Sequence, residues 1–120
     1  MTVRRLKSYA SQTGYVYEYY FAGKRPAIEN DPCAPAAEYV FDVSSDRKTV
    51  FAVSVFLPAL ALESCCLELG RTLSDPEEYA GAKLCLLRAF DEIADMARDG
   101  RRLTLDSETL RSLLGSIGVD

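Results

Sequence analysis

Three carboxylates, Glu18, Glu38 and Asp42, sit in strand-like segments beside Tyr20, Ser54 and Phe56. Clustered carboxylates shift one another's pKa and can act as acid and base, or hold a hard cation. They are the chain's best candidates for a small-ligand or metal-dependent enzyme. Against that, the same residues are what the polar positions of a half-exposed sheet look like.

The other chemical groups narrow the field. The chain has 120 residues and no His. That excludes a Ser-His-Asp or Cys-His catalytic site. It also excludes imidazole-ligated zinc and a His-based pH switch. Four cysteines are present, Cys33, Cys65, Cys66 and Cys85, with no C-x-x-C spacing. Cys65 and Cys66 are adjacent, and neighbours on a helix point about 100° apart. One metal ion could not easily take both, so the cysteines read as reduced small hydrophobes of a cytosolic protein. There is no P-loop, G-x-G-x-x-G or EF-hand loop. No catalytic residue, cofactor or metal is therefore assigned.

The elements that must position the carboxylates are strands first and helices second. Arg4 to Ala10 is a short strand, followed by the turn cluster Ser11-Gln12-Thr13-Gly14. Tyr15 to Arg25 is aromatic and β-branched, the composition of a strand. Pro26 to Pro35 holds three prolines and reads as a loop. Ala37 to Val43 and Lys48 to Leu57 are two more strands, joined by the polar turn Ser44 to Arg47. So short a turn makes them antiparallel neighbours. Gly14 and Gly23 read as turn or strand-end glycines.

Pro58 ends the last of these strands and can open a helix, Ala59 to Leu69, capped by Gly70. Its buried stripe is Leu62, Cys65, Cys66 and Leu69. Ser74-Asp75-Pro76-Glu77 is a capping box, with acids suited to the positive end of the helix dipole. The helix it starts carries an apolar stripe, Tyr79, Ala82, Leu86, Ala89, Phe90, Ile93 and Ala97, and is expected to run to Asp99. Arg101 to Leu105 is a short connection or β-bridge. Asp106 caps a final helix from Ser107 to about Leu114.

Strands followed by helices define an α+β protein. The length suits one domain spanning residues 1–120. Its simplest form is a four-stranded antiparallel meander with two to three helices on one face. Alternation puts Tyr15, Tyr17, Tyr19 and Phe21 on one side of the second strand, with Tyr39, Phe41 and Val43, and Phe51, Val53, Val55 and Leu57, on the matching sides of the next two. That apolar face should carry the helices. The opposite face mixes Glu18, Tyr20, Glu38, Asp42, Ser54 and Phe56 with Val16, Val40, Val50 and Ala52. It is too apolar for a fully wetted surface and too acidic for a core, which suits a partner interface.

Net charge is −4, and the two halves differ. Residues 1–57 carry 7 Lys+Arg and 6 Asp+Glu, whereas residues 58–120 carry 7 and 12. An alternative, single-stranded nucleic-acid binding, would use the tyrosines with Arg4, Arg5, Lys7, Lys24, Arg25, Arg47 and Lys48. The acidic balance and the helices' claim on the aromatic face argue against it. The N-terminus is basic but lacks the apolar run of a signal peptide, and the stretch Val50 to Leu62 is too short to span a membrane. The expectation is a cytoplasmic, non-enzymatic interaction module. It would act through self-association as a homodimer or through a protein partner, with no membrane partner.

Overall fold

The computed structural model describes residues 6–27 and 35–119. Arg4, Arg5 and Cys33 lie outside them. In chain order the elements are β1 (Lys7–Ala10), β2 (Val16–Pro26), β3 (Ala36–Ser44), β4 (Phe51–Pro58), α1 (Ala59–Leu69), α2 (Asp75–Glu92), α3 (Met96–Asp99), β5 (Arg102–Thr104) and α4 (Ser107–Gly115). Strands β1 to β4 form the expected antiparallel meander of an α+β protein, with each strand beside its sequence neighbour.

The sheet has a fifth strand that the four-stranded expectation lacks. β5 runs parallel to β4 at the edge, pairing Ser54 with Arg102, Val55 with Leu103 and Phe56 with Thr104. The chain reaches it through the helices, the long crossover that a parallel neighbour needs.

Side-chain alternation sorts the strands as expected. Tyr17, Tyr19, Tyr39, Phe41, Val43, Val53, Val55 and Leu57 are all buried on the inner face. Phe90 of α2 stacks on Tyr17 with ring centroids 4.1 Å apart and planes 8° from parallel. Full burial of one such side chain contributes roughly 1.5–3 kcal/mol. Helices α1 and α2 both pack on β4, and α4 packs against both helices. The half-buried Leu84 and Leu87 of α2 fit a helix held between sheet and α4.

The helix boundaries follow local chemistry. Gly70 caps α1 in the left-handed region at φ 76°, its N–H donating to the Cys66 carbonyl. Ser74 and Glu77 form the complete capping box of α2. That helix ends at Glu92, short of the expected Asp99. Ile93 is extended, at φ −109° and ψ 115°, and the Asp95 carboxylate caps a new turn by accepting from the Arg98 N–H. Ala97 therefore leaves the apolar stripe and is exposed. Asp106 caps α4 by accepting from the Thr109 N–H.

Two strand details matter for the surface. The β3–β4 loop is longer than the four-residue turn expected. Asp46 accepts from the N–H groups of Lys48 and Thr49, both at 2.8 Å, and so holds these residues out of β4. In β2 the pairing slips once: Phe21 faces Phe41, but Gly23 faces Val40. Ala22 is the extra residue of a β-bulge, so Gly23 marks an irregularity inside the strand rather than its end. Beyond it, Lys24 pairs with Tyr39 on the inner face and Arg25 with Glu38 on the outer. Unbroken alternation would have placed these two cations the other way round.

Candidate functional site

The outer sheet face divides into two groups along the strands. The first is built on Glu38, which is only 9% exposed although no helix covers it. Its carboxylate accepts from Arg25 Nε at 2.9 Å, from Arg25 Nη2 at 3.3 Å and from the Ser54 hydroxyl at 2.6 Å. The Arg25 and Ser54 hydrogen bonds hold its pKa below the ordinary carboxylate range, against the opposing effect of burial, and the charge of Arg102 adds to them. The Arg102 guanidinium also lies 4.8 Å from the ring centroid of Phe56, Glu38's partner on β4.

The second group lies at the other end of the face. Tyr20 stands opposite Asp42 in the β2–β3 register, and Glu18 stands opposite Ser44. Arg47 Nε reaches Glu18 at 3.6 Å. Leu6, Glu18, Tyr20, Asp42, Arg47 and Val50 line a shallow hollow of about 180 Å³. Leu6 and Val50 are exposed apolar side chains on its rim.

The structure thus keeps Glu18 and Asp42 in one neighbourhood and Glu38 in another. Glu38 and Asp42 lie on the same side of β3 but four residues apart, about 13 Å at strand rise. Among the described residues, no three His, Cys, Asp or Glu side chains converge enough to hold a metal ion. Glu38 is charge-paired, and its pKa is held below the ordinary carboxylate range, which suits a structural anion better than a proton donor at neutral pH. The three-carboxylate catalytic arrangement is therefore not assembled.

The cations of this face were the part that sequence reasoning missed. Arg25 arrives there through the bulge, and Arg102 through the fifth strand. A glycine inside an aromatic strand was the available signal for the first. Among the described residues, no buried side-chain nitrogen or oxygen lacks a partner.

Tyr17 and Tyr19 are closed off under the helices, so a nucleobase stacking on them would have to displace α2. Cys65, Cys66 and Cys85 are free thiols. Burial raises the Cys65 pKa and pushes that of Cys85 up to about 11, the direction of an inert thiol. No helix among the described residues is long and apolar enough to cross a membrane.

Comparison of the chain with family models, with curated proteins and with solved structures finds no match in any of the three.

Proposed function

We propose that this protein is a non-enzymatic interaction module whose outer sheet face docks on a second copy of the chain. One observation carries the reading: the face is open, partly apolar and internally neutral. Among the described residues, its carboxylates Glu18, Glu38 and Asp42 are matched in number by the guanidiniums Arg25, Arg47 and Arg102. The whole chain carries −4, so most other approaches between two copies would be repulsive. A neutral face with both signs is compatible with itself under two-fold symmetry. Glu38 already holds its hydrogen bonds within the chain, which lowers the cost of removing water from it. Val16, Tyr20, Val40 and Ala52 supply the apolar contact.

The free thiols support a reducing, cytoplasmic setting for this module. Size-exclusion chromatography with light scattering tests the docking face. The wild type should elute with twice the monomer mass. Tyr20→Glu should halve that mass and leave the circular dichroism spectrum intact. A wild type that stays monomeric at high concentration overturns self-association. A dimer that survives Tyr20→Glu places its interface elsewhere.

A further inference from the structure

On the opposite, helix-bearing face, a hollow of about 470 Å³ opens between β2, β3 and the start of α2. Its lining is aromatic. Phe21 meets Tyr79 edge-on with centroids 4.9 Å apart, and Tyr39 lies 6.2 Å from Phe21. Asp75 and Pro76 complete the walls, and Lys24 borders the hollow. Glu78 stands beside them, its Oε1 accepting from the Tyr39 hydroxyl at 3.3 Å.

The chain's own ammonium already occupies this setting. Lys24 Nζ lies 5.3 Å from the Tyr39 ring centroid and 3.8 Å from Glu78 Oε1. The bulge in β2 is what turns Lys24 to this side. Ring faces are electron-rich and attract cations, and a nearby carboxylate adds charge attraction. The Lys24 side chain is 44% exposed, so its hold is that of a surface ion pair and is readily exchanged. A quaternary ammonium is less strongly hydrated than a primary one, and it presents more surface to the rings.

We infer that the Phe21–Tyr39–Tyr79 hollow is a binding site for a quaternary ammonium group, with Lys24 as a displaceable internal occupant. The Asp75 and Glu78 carboxylates supply the charge complement, the half-buried Phe21 and Tyr79 rings supply open contact, and the buried Tyr39 supplies the ring surface that Lys24 now covers. Lys24 competes for the same position, so it lowers the apparent affinity without forming part of the walls that the ligand needs. This site is separate from the outer face and does not depend on self-association.

Tetramethylammonium chloride is the probe, added to the full chain and followed by NMR of the aromatic ring protons, with sodium chloride at equal ionic strength as control. Saturable shifts should appear at Phe21, Tyr39 and Tyr79 and leave Phe90 unmoved. Lys24→Ala, an exposed substitution, should tighten binding about three- to fivefold by removing the competitor. Glu78→Gln should weaken it by a similar factor. Shifts that match sodium chloride in both wild type and Lys24→Ala overturn the site. So does a response to benzoate that weakens in Lys24→Ala, because it would make Lys24 the ligand and the hollow an anion site.

Discussion

Glu38 and Tyr39 are neighbours in β3, and both are almost wholly buried, at 9% and 2% exposure. They reach that state by opposite routes. Tyr39 lies on the inner face, under a layer of helices and against other rings. Glu38 lies on the outer face, with no layer above it, and is screened by Arg25, Ser54 and its cross-strand neighbour Phe56. The inner face is dried by packing between layers. The outer face is shielded sideways, by side chains of the same sheet. Its burial therefore rests on ion pairs and hydrogen bonds, whereas inner-face burial rests on hydrocarbon contact.

The largest test of that contrast is Phe90→Ala. It removes the ring stacked on Tyr17 and should cost about 3–5 kcal/mol in denaturant unfolding. Tyr20→Ala, on the half-buried outer face, should cost less than half as much, and equal losses would erase the distinction. Next comes Glu38→Gln, which keeps the shape but removes the charge held by Arg25. It should cost about 1–2 kcal/mol, and Arg25→Ala in the same background should add little. Additive losses would mean that the two residues do not form one unit.

Ser74→Ala should cost about 1 kcal/mol by opening the capping box of α2, without disturbing the outer face. The smallest effect is read against pH. Arg71 and the Ser74 N–H hold the Glu77 pKa down to about 2. A carboxyl lowered in the folded state contributes stability that is whole above its unfolded value, here 4.5, and is lost as pH falls toward the folded one. Thermal midpoints should therefore drop between about pH 4.5 and pH 2, and Glu77→Gln should flatten that slope. Glu38→Gln should flatten it too, since the Glu38 pKa is displaced in the same direction.

The inner face was legible from sequence because two periods agreed. A repeat of two in the strands met a repeat near 3.6 in α2, and their apolar sides had only each other to cover. The capping box and Gly70 fixed helix ends because each is a local, two-partner geometry. The outer face was legible in its acids and not in its bases. Glu18, Glu38 and Asp42 fall on the expected side, but Arg25 depends on a slipped register, and β5 is three residues long and defined by distant partners. The break after Glu92 was hidden for a related reason. The apolar stripe continues through Ile93, and only the capping of Asp95 shows that the backbone has turned.

The bulge at Ala22 has a genetic consequence. Removing that one residue would restore strict alternation to β2 and leave Lys24 opposite Tyr39 and Arg25 opposite Glu38, because the residue lost is the unpaired one. The Arg25–Glu38 pair and the Lys24–Glu78 pair would both be kept, although the strand had been shortened. Point substitutions can alter the two faces independently. A one-codon insertion between Gly23 and Lys24 cannot: it would send Lys24 to the outer face and turn Arg25 toward α2, so the two surfaces are tied to each other through strand length.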